Sequence, residues 1–116
     1  MELDRKKILE SHLETIQGLS SREYQQRVWV RGEGPECDDY TETICHFFDD
    51  GDPIINDYKS YNITENQLSS LLKLRQMLNE FNSKIRFRLG PNFLDSQEWR
   101  NIIVQAKEVL AAFNYR

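Results

Sequence analysis

The sequence predicts an all-α fold, a single domain over residues 1–116 built as a bundle of about five helices, with a minor β ribbon as a lesser addition. Three observations carry this. Apolar residues recur at helical spacing in several separate stretches. Three segments open with a helix-start box, Ser20 to Glu23, Thr64 to Gln67 and Asp95 to Glu98, in which a capping side chain precedes an acid or amide by three positions. Only one short stretch, Lys84 to Leu89, alternates polar and apolar residues as a strand does.

In chain order, Ile8, Leu9, Leu13, Ile16 and Leu19 lie along one side of a first helix over residues 2–18, with Gly18 as a stop. Ser20 is the expected cap of a second helix that runs to about Trp29 and buries Tyr24 and Val28. Gly32, Gly34 and Pro35 end it. A third helix is expected from Asp38 to about Asp49, capped by Asp38 or Asp39. On it Tyr40, Ile44, Phe47 and Phe48 form an apolar face with Cys45 at its margin, while Asp39, Glu42, His46, Asp49 and Asp50 form the opposite face. Burying an aromatic gains about 1.5–3 kcal/mol, and a like-charge pair on a helix costs only tenths of a kcal/mol, so packing can hold the acids together.

Gly51 and Pro53 read as breakers, making residues 49–63 a long connection pinned by Ile54, Ile55, Tyr58, Tyr61 and Ile63. Thr64 then caps the longest helix, to about Phe81. Its apolar residues, from Leu68 to Phe81, cover more than half the wheel, as in a central helix. Asp95 opens the last helix, with Trp99, Ile102, Ile103, Ala106, Leu110 and Phe113 on one stripe. The ribbon alternative pairs Val28–Arg31 with Ile85–Leu89.

The charge is uneven. Residues 32–58 hold nine carboxylates, Glu33, Glu36, Asp38, Asp39, Glu42, Asp49, Asp50, Asp52 and Asp57, and no Lys or Arg. The rest of the chain has 10 acidic residues against 15 basic, so the net charge of −4 conceals a strongly negative block. With a pI of about 5.2 the chain lacks the basic footprint of a nucleic-acid binder. The basic groups Arg5-Lys6-Lys7 and Lys84, Arg86, Arg88 are too short to supply one. The longest apolar runs are a few residues, which predicts no membrane span, and the charged N-terminus shows no secretory signal. A cytoplasmic location is expected.

Cys37 and Cys45 are eight apart, a spacing that fits neither zinc nor a redox pair. Both are expected reduced, Cys45 as a small core residue. Glu42, His46 and Asp49 or Asp50 are ligand types on one face, so a metal-binding protein or metal-dependent hydrolase is the alternative function. Against it, no second histidine is near and the Asp-rich loop fails the calcium-loop pattern. No phosphate-cradling loop or nucleophile–base pair is present, so neither an enzyme nor a cofactor is predicted.

The string Leu19-Ser-Ser-Arg-Glu-Tyr24, Arg27-Val28-Trp29, Pro35, Asp38-Asp39-Tyr40 and His46-Phe47-Phe48-Asp49-Asp50, closing on Leu94, Trp99, Ile102 or Ile103, Ala106 and Leu110, resembles a small bacterial family. Some of its members are similar to immunity proteins of contact-dependent growth inhibition systems. The resemblance implies a cytoplasmic protein that binds and neutralises a cognate toxin domain, commonly a basic nuclease, and carries over no catalytic residue. The nine carboxylates with Trp29 and Tyr58 are then the expected toxin interface. Neutralising Asp38, Asp39, Asp49 and Asp50 is expected to slow association while leaving the fold intact. A scaffold for a basic partner unrelated to toxins is the third reading.

Overall fold

The computed structural model describes residues 2–34, 38–85 and 93–115. Among the described residues there are five helices: α1 (Glu2–Leu19), α2, which starts as one α-turn (Arg22–Tyr24) and continues as a π-helical segment (Gln25–Val30), α3 (Tyr40–Asn56), α4 (Glu65–Ile85) and α5 (Gln97–Ala112). A 3-10 turn, Phe93–Asp95, leads into α5. No strand occurs among the described residues. The ribbon is thereby corrected at its first half, since Val28–Val30 are helical; residues 86–89 of its second half lie outside the described residues.

The long helices close a ring. α1 packs on α3 and α5, α5 packs on α4, and α4 packs on α3. One cluster fills the middle, including Ile16 and Leu19 of α1, Phe47 and Ile54 of α3, Leu71, Leu74 and Leu78 of α4, and Trp99, Ile102 and Ala106 of α5. At one end Trp29, Tyr40, Phe81, Phe93 and Trp99 bring aromatic rings from five segments together, with neighbouring centroids 5.1 to 6.5 Å apart. Ile8 and Leu72, expected on buried faces, are exposed.

The helix starts differ instructively from expectation. Thr64 and Gln67 form the complete box: the Gln67 backbone N–H donates to Thr64 Oγ1 at 3.1 Å, and the Thr64 N–H donates to Gln67 Oε1 at 2.9 Å. The other two boxes are shifted by one residue. Ser20 donates its hydroxyl to the Gln17 carbonyl at 2.7 Å, closing the end of α1, and Ser21 accepts from the Tyr24 N–H to cap α2. Asp95 is engaged by Arg22, so Ser96 caps α5 through the Trp99 N–H. In each case a tertiary or preceding-helix partner takes the first polar side chain, and the next one caps.

The largest correction lies in α3, which runs through Gly51 and Pro53 to Asn56 instead of ending near Asp49. Its buried stripe is Tyr40, Ile44, Phe47, Gly51 and Ile54. That i, i+4, i+7, i+11, i+14 pattern continues unbroken past both residues read as breakers. A proline inside a helix costs about 3 kcal/mol. Completely burying Ile54 and seating Gly51 against α1 offset it. Glycine on the stripe was the available signal: it marks a close approach, not a stop.

Candidate functional site

Where the C-terminal half of α1 and the start of α3 diverge, they leave an open groove of about 760 Å³. Glu14 of α1, Asp38, and Glu42 and His46 of α3 line it, with hydroxyls from Ser11 and Tyr24 among others. Among the described residues, no Lys or Arg is in its lining.

Asp38 forms the inner end of this groove and is bound into the fold. Its Oδ2 accepts from the Tyr24 hydroxyl at 2.8 Å and the Trp29 indole N–H at 3.1 Å. The buried Thr43 hydroxyl donates to the same carboxylate at 2.9 Å, and Oδ1 accepts from the Asp39 N–H at 2.9 Å. Tyr24 and Trp29 are five positions apart. The π segment, with its i→i+5 hydrogen bonds, is what lines up such a pair; a regular α-helix would not. Asp39 is the N-cap of α3, accepting from the Glu42 N–H at 2.8 Å.

The other predicted interface residues divide. Glu33 pairs with Arg31 at 2.9 Å and Asp52 with Arg75 at 2.8 Å, so local cations neutralise both. Asp50 accepts from the Ser11 hydroxyl at 3.3 Å across the α1–α3 joint. Asp57 accepts from the Ser60 hydroxyl at 2.8 Å in the turn after α3. Glu42 and Asp49 are exposed, and no cation pairs with either among the described residues. Glu36 and Cys37 lie outside the described residues.

The block therefore does not converge on one place. Asp38 and Glu42 line the groove and Asp39 caps α3 between them in sequence, whereas Asp57 and Tyr58 lie about 25 Å away at the other end of α3, by the helical rise per residue. Trp29, expected at the toxin interface, packs instead in the aromatic cluster with Tyr40. Tyr58 lies half-buried against the core and donates its hydroxyl to Glu65 at 3.0 Å. Cys45 is exposed, not a core residue; Thr43, on the opposite margin of the buried stripe, is the buried one. Neutralising Asp38 and Asp39 would strip a hub and a cap, which argues against the expectation that neutralising Asp38, Asp39, Asp49 and Asp50 leaves the fold intact.

Glu14 is the groove residue that sequence reasoning passed over. It stands 24 positions before Asp38 in an ordinary helix face, and only the α1–α3 packing places it opposite Glu42. Among the described residues no group of three His, Cys, Asp or Glu side chains is placed to hold a metal ion. No helix of the described residues is long and apolar enough to cross a membrane. Compared with protein-family models, curated proteins and solved structures, the chain matches none.

Proposed function

We propose that this protein is a cytoplasmic immunity protein that binds a basic toxin domain stoichiometrically, with the α1–α3 groove and the adjoining outer face of α3 as its recognition surface. The observation that carries this reading is the groove's charge: three carboxylates and, among the described residues, no Lys or Arg lining about 760 Å³ of open space. Glu42 and the nearby Asp49 keep their charge uncompensated by a neighbouring cation among the described residues. A surface of this kind imitates the phosphates that a basic nuclease is built to hold, and steers its approach. Complementary charge raises association rates by roughly 10–1000-fold at low ionic strength. The resemblance to growth-inhibition immunity proteins supplies the toxin as the partner; the groove supports a basic protein partner more generally.

Two experiments test the proposal. Cells expressing the toxin gene adjacent to this one should survive when this protein is co-expressed; equal killing with and without it refutes an immunity role. In vitro, the variant Glu14→Gln/Glu42→Gln/Asp49→Asn should associate with that toxin at least ~10-fold more slowly at low salt, with a flatter salt dependence and an unchanged Tm. Association at the native rate would place the interface elsewhere.

A further inference from the structure

His12 sits in the middle of α1, at its contact with α3, and exposes none of its surface. Neither Nδ1 nor Nε2 has a hydrogen-bond partner, and these are the only buried side-chain polar atoms so placed among the described residues. The ring lies on Gly51: a Cβ at that position would come within 2.8 Å of His12 Cε1 and 3.2 Å of Nε2. Phe47 covers the ring from α3, with centroids 4.9 Å apart and planes tilted by 40°. A neutral imidazole carries one donor and one acceptor, and each such group left unpaired in a core forfeits its hydration without a replacement. An aliphatic side chain would fill the same space without that cost.

A second proton converts both ring nitrogens to donors in a place that offers no acceptor. The charges that act on the ring come from α3, Asp50 first and then Asp52. Asp50 also accepts from Ser11, the residue next to His12 on α1, and Asp52 is held by Arg75 of α4. On α1 itself, the residues one turn away are Ile8, Leu9, Thr15 and Ile16, none of which titrates. No other charge on α4 or α5 acts on the ring among the described residues. A charged imidazole therefore gains a hydrogen bond only by leaving Gly51 toward these carboxylates, and that displaces α1.

We infer that His12 is an acid-sensitive latch on the α1–α3 joint, which at neutral pH holds the two helices together over Gly51 and on protonation releases α1 from α3. Burial holds the imidazole down to about 4, against an ordinary value of 6.5, with Asp50 and Asp52 opposing the shift. The latch is thus closed at neutral pH and yields as pH falls from 6.5 towards about 4. Both walls of the acidic groove belong to these helices, so release also takes the groove apart. That consequence rests on the groove being the binding site; the latch does not.

Amide hydrogen exchange of the full chain between pH 7 and 4.5 tests it without any partner, so its outcome is separate from that of the binding experiments. Protection factors, which correct for the intrinsic pH dependence of exchange, should fall in residues 8–19 and 43–54 by up to about two orders of magnitude. Protection in residues 71–81 and 102–110 should stay above that of α1 and α3 at every pH, since those segments open only with the whole chain, and His12→Leu should abolish the fall. An unchanged acid response in His12→Leu, or protection at pH 4.5 that is equal in all four long helices so that only the whole chain opens, overturns the latch. Should His12→Leu not fold, NMR of the wild-type imidazole decides: proton uptake must coincide with the opening of α1 and α3. Uptake with the joint intact, or opening without uptake, overturns it equally.

Discussion

The Gln25 side chain accepts a 2.9 Å hydrogen bond from the indole N–H of Trp99, 74 positions away, and both residues are completely buried. The same amide donates to the Gly18 and Leu19 carbonyls at 2.9 and 3.0 Å. One polar side chain thus closes the C-terminal end of α1, anchors α2 and satisfies the largest side chain of the core. Replacing it by leucine should destabilise the protein by about 2–4 kcal/mol, because an indole N–H and helix-end carbonyls lose their partners. Trp99→Phe should be costly as well. The double variant should cost less than the sum of the two, a coupling that urea denaturation would reveal. Strict additivity would show that the bond contributes nothing specific.

Asp38 and Asp39 are neighbours with unequal roles. Asp39→Ala removes an N-cap and should cost about 1 kcal/mol. Asp38→Ala leaves the Tyr24 and Thr43 hydroxyls and the Trp29 N–H without their acceptor, and should cost about 3 kcal/mol or more. Asp38→Asn keeps one acceptor oxygen and should fall between them. Thermal or urea melts that rank Asp39→Ala as the more damaging change would contradict the assignment of Asp38 as the hub.

Gly51→Ala should destabilise although it improves helix propensity. Alanine is favoured over glycine inside a helix by about 1 kcal/mol, but the new methyl would lie 2.8 Å from His12 Cε1. The ring is wedged between α3 and its own helix, so the two helices must move apart; overpacking of this kind costs about 1–3 kcal/mol. A raised Tm for Gly51→Ala would mean that the joint is looser than this packing implies.

His12 also makes global stability fall with acid, and the sign follows from linkage. Its folded value, about 4, is below its ordinary 6.5. The unfolded chain therefore binds the proton more readily throughout that window. Stability is complete above pH 6.5 and declines as pH drops towards 4, by up to about 3 kcal/mol. Denaturation midpoints in urea at pH 7, 5.5 and 4.5 should show this slope in the wild type, and His12→Leu should reduce it. A slope of the same size in the variant would assign the loss to carboxylates instead.

Much of the architecture was legible because helix formation here follows local rules. Apolar spacing marked α1, α3, α4 and α5, a helix-start box marked α2, and the Thr64–Gln67 box holds as expected, since both partners are local. The Ser20 and Asp95 boxes were read one residue early because their side chains serve Gln17 and Arg22, and such competition leaves no mark in a four-residue pattern. The true length of α3 was hidden for a related reason. Gly51 and Pro53 oppose a helix locally, and burial against α1 and the rest of the core prevails.

By itself the sequence determined that the chain is helical, that its acids are concentrated in residues 32–58, and that α3 has an aromatic face and an acidic one. Only the tertiary structure decided which acids remain available. It bound Asp38 into a hub, paired Glu33 and Asp52 with arginines, and set Glu14 opposite Glu42 across a groove. The reason is one of range. Periodicity and capping act within a turn or two of chain, whereas the use of a carboxylate is settled by whichever donors the packing brings within about 3 Å of it.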